Sequence, residues 1–175
     1  MGAKHDFTRA ISDFNKALEL KPGNLDVYND RGNTYSDDGQ YDQAISDYTR
    51  ALAIDPTDAT VYFNRARAYQ AKGNLDEALA DYSKAIEIDP RNDALYFGRA
   101  GVWKDKGDLK QAIVDYTHSI EINPGNAGAY HNRAVAYFLT QEYSKSWEDV
   151  YQLRKLGSDI PPQILQKLKA ASGRE

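Results

Sequence analysis

A repeat of constant length is the feature of this sequence that most constrains its fold. Residues of four kinds recur at a step of 34 positions along the chain. They are the prolines Pro22, Pro56, Pro90 and Pro124, the aspartates Asp13, Asp47, Asp81, Asp115 and Asp149, the arginines Arg31, Arg65, Arg99 and Arg133, and the glycines Gly39, Gly73 and Gly107. Such a period indicates copies of one supersecondary unit, which stack because a single copy cannot bury its apolar face alone.

Each unit is predicted to be a pair of amphipathic helices. In the unit that ends at Pro90, apolar residues recur at helical spacing on both sides of Gly73. Gly73 suits the left-handed conformation that ends a first helix, and Asn74 followed by Glu77 has the spacing of a capping box that starts a second. A proline ring cannot continue a helix, so Pro90 closes the unit. Residues suited to N-capping precede the first helix of each unit: Asn24, Asp58, Asn92 and Asn126.

Small and aromatic residues also keep fixed places in every unit. The first two units carry Tyr28, Gly32, Tyr35, Ala44, Tyr48 and Ala51, then Tyr62, Ala66, Tyr69, Ala78, Tyr82 and Ala85. The third carries Tyr96, Ala100, Trp103, Ala112 and Tyr116, and the fourth begins with Tyr130, Ala134 and Tyr137. Over nearly the whole chain this pattern resembles the tetratricopeptide repeat family. The resemblance implies an all-α fold, a right-handed α-solenoid of stacked antiparallel helix pairs.

The landmarks divide the chain into six predicted segments. They are the second half of an incomplete repeat (1–24), repeat 1 (25–58), repeat 2 (59–92), repeat 3 (93–126), a degenerate repeat 4 (127–158) and a C-terminal capping helix (159–175). Gly157 is expected to end the helix before the cap, and Asp159 to cap the last one. The incomplete first repeat predicts a fragment of a longer protein, which we favour, or a face at Ile11 and Phe14 that mediates self-association.

Composition excludes several classes of function. The 26 acidic and 22 basic residues leave a formal net charge of -4, so we expect no nucleic-acid partner. The chain has no cysteine, and no apolar run approaches the roughly 18 residues of a spanning helix, so we expect a soluble chain without membrane insertion. The compartment stays unknown, with the cytoplasm favoured and an extracytoplasmic location open to an excised fragment.

The recurring arginines and aspartates are interpreted as a structural ladder rather than a catalytic or anion-binding site. One such pair per repeat most simply ties helices together through guanidinium-to-carboxylate hydrogen bonds. The histidines His5, His118 and His131 are far apart, and the sequence contains neither a zinc motif nor a phosphate-binding glycine loop. We therefore expect no catalytic residue, no metal and no cofactor, and predict that the chain is not an enzyme.

The candidate binding face follows from the resemblance, because in the family the first helices of the repeats line a concave groove. The residues predicted to bind a peptide are Asp26, Asn29, Asp30, Asn33, Phe63, Asn64, Arg67, Phe97, Lys104, His131, Asn132 and Phe138. The early part of this face is acidic and polar, and the later part is aromatic. Several of the aromatic rings could instead pack against neighbouring helices, and this alternative stays open.

The expected partner is a protein or peptide. The best-known ligand mode of the family clamps an acidic peptide tail with cations, and here their places are occupied by Asn29, Ala94 and Gly98. We therefore expect a peptide with an apolar anchor near Phe63 and Phe97 and a basic portion toward Asp26 and Asp30. The predicted function is a non-catalytic protein-protein interaction scaffold. The alternatives are a recruiting domain of a larger enzyme and a self-assembly module that uses the N-terminal helix.

Overall fold

The computed structural model describes residues 2–173, with side chains from residue 6 onward. Met1, Arg174 and Glu175, at the ends of the predicted first and last segments, and the side chain of His5 lie outside the described residues. Over the described range the chain forms ten α-helices and no strand, which confirms the all-α class. They are α1 (Gly2–Leu20), α2 (Leu25–Asp37), α3 (Tyr41–Ile54), α4 (Ala59–Lys72), α5 (Leu75–Ile88), α6 (Asp93–Asp105), α7 (Leu109–Ile122), α8 (Ala127–Leu139), α9 (Tyr143–Lys155) and α10 (Pro162–Ser172).

The helices form two compact units, Met1–Pro90 and Arg91–Glu175. In the first unit α2 packs on α3 and α4 packs on α5, and in the second α6 packs on α7 and α8 on α9. A short turn joins the two helices of each pair, so the pairs are antiparallel. We propose these pairs as the four repeats at 25–58, 59–92, 93–126 and 127–158.

Helix ends follow the predicted punctuation in most places. The side chains of Asn24, Asp58, Asn92 and Asn126 each accept a hydrogen bond from a backbone N–H of the helix that follows. The glycines Gly39, Gly73 and Gly107 adopt positive φ angles of 77°, 87° and 83° in the turns within the pairs. In the degenerate repeat Gln141 takes this place with a φ of 65°. The turn is therefore retained without glycine, at a cost of roughly 1 kcal/mol.

Two predicted caps are wrong. Asn74 stands at the N-cap of α5, but its carbonyl oxygen accepts no cap hydrogen bond, and its NH₂ group donates to the Glu77 carboxylate at 3.4 Å. Asp159 does not cap α10, whose N-cap is Pro161. Its carboxylate instead accepts a hydrogen bond from Nε of Arg154 at 2.9 Å. Asn74 is thus correctly placed but does not bond as a cap, whereas Asp159 lies two residues before the N-cap position of α10.

The first unit is built around buried tyrosines that face small residues. Tyr48 and Tyr82 are each 1% exposed, and alanines such as Ala44 and Ala51 beside Tyr48 are fully buried. Gly32 lies so close to the Tyr48 ring that a Cβ atom there would stand 2.7 Å from Cε1. Small residues at these places therefore let paired helices approach closely enough to enclose an aromatic ring.

α1 packs against α2 in the same unit. Leu18 is buried, whereas Ile11 and Phe14, predicted to lie on a poorly covered face, are half-buried. Leu20 at the end of the helix is 89% exposed. A single exposed apolar residue is common on protein surfaces, so self-association through α1 stays a prediction.

In the second unit α10 covers the last helix pair. Leu168 is fully buried and packs in one cluster with Ala134, Val150, Leu153 and Ile160. The side chains of Gln163, Gln166, Lys167 and Lys169 are exposed on the opposite face. The last helix therefore has the polar outer surface that a repeat array needs at its end.

Candidate functional site

An arginine and an aspartate tie together the two helices of each pair. The arginine donates from Nε and Nη2 to the two oxygens of the aspartate sixteen positions later, at 2.6 to 2.9 Å. The four pairs are Arg31–Asp47, Arg65–Asp81, Arg99–Asp115 and Arg133–Asp149. The aspartate side chains are only 3 to 9% exposed. The predicted ladder is confirmed.

These arginines also reach the helix that precedes their own pair. From Nη1, Arg31 donates to Asn15, and Arg65 and Arg133 donate to hydroxyl groups of Thr49 and Thr117. The hydrogen bond with Asp47 raises the pKa of Arg31 above its ordinary value. The ladder guanidinium groups are thus committed to structure, and a binding function must rest on side chains that do not repeat.

One group of the predicted site residues lies together on two neighbouring first helices. We call it the α2–α4 surface, formed by Asp26, Asn29, Asp30 and Asn33 of α2 with Phe63, Asn64 and Arg67 of α4. The amide of Asn64 donates to the carbonyl oxygen of Asn29 at 3.1 Å, which joins the two helices. Both amides are half-buried, whereas the charged groups of this surface, Asp26, Asp30 and Arg67, are exposed.

A polar cleft of about 320 Å³ opens in the α2–α4 surface. It is lined by Asn33, Ser36, Asp37, Tyr48, Asn64 and Arg67. The Tyr48 hydroxyl donates to Oδ1 of Asn33 at 2.8 Å. Burial of the ring is the main cause that raises the pKa of Tyr48, so the hydroxyl stays a neutral donor.

Ser36, Asp37 and Tyr48 were not among the residues predicted to bind a peptide. The family pattern does place Ser36 and Asp37 on the groove-facing side, so a signal for these two exists in the sequence. Tyr48 occupies the place of a core aromatic, and its ring is indeed in the core. Its hydroxyl nevertheless bonds to Asn33 at the cleft, and no sequence pattern reveals that.

Phe63 is held inside its own helix pair. Its ring lies edge-on to the Tyr82 ring, with centroids 5.9 Å apart and an interplanar angle of 72°. The Arg67 guanidinium lies over the Phe63 ring, 5.8 Å from its centroid. The ring is half-buried, so only part of its surface can contact a partner.

The remaining predicted residues lie in the second unit. They are Phe97 and Lys104 on α6 and His131, Asn132 and Phe138 on α8, and we call them the α6–α8 surface. Lys104 is exposed and the other four are half-buried. Phe97 contacts Tyr116 with centroids 5.8 Å apart, and Phe138 contacts Tyr143 at 6.1 Å. Both phenylalanines therefore pack within their own helix pairs, as the packing alternative proposed.

The buried tyrosines give the fold an alkaline limit. Desolvation raises the pKa of Tyr82 and of Tyr116 from 10.0 to about 12. Between these values the unfolded chain ionises and the folded chain does not, so the free energy of unfolding is expected to fall as pH rises from 10 to 12. Urea melts across this range should show a shallower fall for Tyr116→Phe than for the parent. Equal slopes would contradict the assignment to Tyr116.

Other kinds of site were sought in the described part of the chain. No group of three or more His, Cys, Asp or Glu side chains there is arranged to hold a metal ion. His118 is stacked on Tyr96, with ring centroids 5.4 Å apart. None of the helices within residues 2–173 combines the length and the apolar character that crossing a lipid bilayer requires.

Repeated helix pairs, capped by a last helix and tied by one ion pair each, define a helical-repeat protein. One TPR repeat model matches residues 32–73 and 103–141, and two tetratricopeptide repeat models match residues 59–92 and 14–46. The chain belongs to the tetratricopeptide repeat family. Proteins of this family are generally non-catalytic interaction scaffolds.

Solved structures share the fold. A crystal structure of MamA is 25% identical, with a TM-score of 0.77 over 97% of this chain and 93% of that one. YrrB, described as a TPR protein with an unusual peptide-binding site, is 21% identical, with a TM-score of 0.74 over 96% and 84%. The first TPR of Spaghetti (RPAP3), bound to the HSP90 peptide SRMEEVD, is 26% identical, with a TM-score of 0.65 over 67% and 93%. A comparison with curated proteins found no match.

Proposed function

We propose that this chain is a non-catalytic scaffold that binds a peptide or protein segment along the first helices of its repeats. The observation that carries the proposal is the α2–α4 surface, where Asp26, Asp30 and Arg67 are exposed. Among the described residues, no ion pair includes any of the three. Charges that the fold does not use, set beside fixed amides, are suited to recognising an extended peptide.

Two structural neighbours support a peptide as the ligand. YrrB has a peptide-binding site, and the Spaghetti repeat domain is bound to a peptide that ends in Glu-Glu-Val-Asp. The YrrB likeness concerns the fold alone, since its identity is 21%. We carry over the kind of ligand, a peptide, and not its sequence.

The ligand proposed for this chain has a basic portion and an apolar anchor. The exposed carboxylates of Asp26 and Asp30 lie four residues apart on α2, so they project from the same side of the helix and attract a Lys or Arg of the peptide. The half-buried rings of Phe63, in the first unit, and Phe97, in the second, would each contact an apolar side chain. Lys104, His131, Asn132 and Phe138 are proposed as further contacts on the α6–α8 surface.

A selection from a random displayed peptide library tests this function. Peptides that bind the immobilised parent chain would be synthesised, and their dissociation constants measured by fluorescence polarisation. Asp30→Lys is expected to weaken binding of a basic peptide by roughly tenfold or more, since it places like charges together.

Glu19→Lys is the matched control, because it makes the same charge change on α1, an exposed place outside the α2–α4 surface. It should leave the dissociation constant within about twofold of the parent, the range expected for a distant exposed charge. Equal affinities for the parent and Asp30→Lys, or a failure to select any peptide, would contradict the proposed function.

A further inference from the structure

Arg67 differs from the ladder arginines. Its guanidinium is exposed at the polar cleft of the α2–α4 surface. Within the part of the chain that the structure describes, it enters no ion pair and no hydrogen bond, and it lies over the Phe63 ring. A cation held over an aromatic face is oriented without using its N–H donors. Arg67 therefore presents donors that the fold leaves available.

The amides beside Arg67 are oriented by their neighbours. Oδ1 of Asn33 accepts from the Tyr48 hydroxyl, so the NH₂ group of Asn33 is left as a donor. Asn64 donates its NH₂ to Asn29, which leaves the Asn64 carbonyl oxygen as an acceptor. The cleft thus combines donors for an oxyanion with an acceptor for a peptide N–H.

We propose that this cleft binds the carboxylate of an Asp or Glu side chain within the bound peptide, an inference that rests on the proposed function. The planar guanidinium of Arg67 matches a carboxylate in a bidentate arrangement, and Asn33 supplies a further donor. The partner is then a peptide of mixed charge, with its acidic residue at the cleft and its basic residue at Asp26 and Asp30. Asn33 is seven residues after Asp26 and three after Asp30 on α2, so the two subsites are about 5 to 10 Å apart along the helix axis.

The charge of the cleft favours a carboxylate over a phosphate. Asp37 lines the same cleft, and its negative charge offsets the positive charge of Arg67. A carboxylate brings one negative charge, whereas a phosphate monoester brings nearly two near pH 7 and has no second cation to meet. Asp37 is also positioned at the wall of the cleft, where it can accept a backbone N–H of the peptide.

An internal side chain fits better than the terminal carboxylate of a peptide. The clamp known in the family holds a terminal carboxylate with several cations, and Asn29 stands at the place of one of its lysines. Here Asn29 is bonded to Asn64. One available arginine matches one side-chain carboxylate, and the peptide can continue on both sides of it.

The test uses the peptides selected by the parent chain. Each selected peptide is synthesised with an amidated C-terminus, with its acidic residue intact or changed from Glu to Gln, or from Asp to Asn. The change is expected to weaken binding to the parent by about tenfold or more, the usual effect of losing a charge-assisted hydrogen bond. With Arg67→Gln the same change should alter binding by less than about twofold, because the interaction partner is gone. Lys84→Gln removes one positive charge on α5 and should behave like the parent.

Each outcome decides between the two proposals. A failure to select any peptide overturns the proposed function and this inference with it. Selected peptides without a required acidic residue, or an equal Glu-to-Gln effect in the parent and Arg67→Gln, overturn this inference and leave the proposed function standing. Binding that is lost on C-terminal amidation also overturns it, since the terminal carboxylate would then be the ligand. A phosphopeptide that binds more tightly than its Glu counterpart likewise overturns this inference.

Discussion

Asp47→Asn is expected to lower the free energy of unfolding by roughly 3 to 5 kcal/mol. The side chains of Asp47 and its partner Arg31 are 3% and 11% exposed, and both carboxylate oxygens accept from the guanidinium. An amide fills the same space but carries no charge, so the Arg31 guanidinium would be left in a poorly hydrated place without its counter-ion. Chemical denaturation followed by far-UV circular dichroism measures the loss.

The incomplete repeat supplies the control for this prediction. Asp13 has the same place in its repeat as Asp47, yet its side chain is 64% exposed and lies 3.6 Å from Lys16. Asp13→Asn should change stability by about 0 to 1 kcal/mol, as for other exposed pairs. The double variant Arg31→Met, Asp47→Leu should recover much of the loss, because no unpaired charge remains. Equal effects of Asp47→Asn and Asp13→Asn would show that burial of the ladder does not matter.

Leu168→Ala is expected to cost about 2 to 5 kcal/mol, the range for truncating a buried leucine. Leu168 is fully buried and supplies the contact by which α10 closes the apolar cluster with Val150 and Leu153. Nε1 of Trp147 donates to the Ser172 hydroxyl at 2.9 Å, so the indole reports whether α10 is docked. In a Trp103→Phe background, tryptophan emission should shift to longer wavelength at lower denaturant concentration in Leu168→Ala.

The matched control lies on the same helix. Gln166 is exposed on the outer face of α10, and Gln166→Ala should change stability by no more than about 0.5 kcal/mol. If Leu168→Ala unfolds at the same denaturant concentration as Gln166→Ala, then α10 does not stabilise the second unit through this contact.

The repeat period made most of the fold predictable from the sequence. The caps at Asn24 and Asp58 and the turn at Gly73 are local features, set by residues three or four positions apart, and these predictions are confirmed. The predicted caps at Asn74 and Asp159 are wrong because the Asn74 carbonyl oxygen accepts no backbone N–H of α5, and because α10 begins two residues later than a cap at Asp159 requires. A spacing rule identifies a group that can cap a helix, but it determines neither the orientation of that side chain nor the residue at which the helix begins.

Less of the candidate site could be predicted from the sequence, because part of it depends on packing between helices. The family pattern indicates which places of a first helix face a ligand, and it placed Asn33 and Arg67 there. It gives no information about second-helix groups such as the Tyr48 hydroxyl, which reaches Asn33 from a ring that packs against Gly32. The pairing of Asn29 with Asn64 is also a product of packing between two repeats.

The hydrogen bonds that the ladder arginines donate from Nη1 bear on how repeats can be gained or lost in evolution. Arg31 reaches an amide of α1, whereas Arg65 and Arg133 reach threonine hydroxyls in the helix that precedes their own pair. The junction therefore accepts chemically different groups at one fixed place, and it needs no side chain unique to a particular boundary. A gene segment that encodes one unit could be duplicated or lost in frame and still meet a compatible neighbour, so a lineage can lengthen or shorten the array before any contact surface is redesigned.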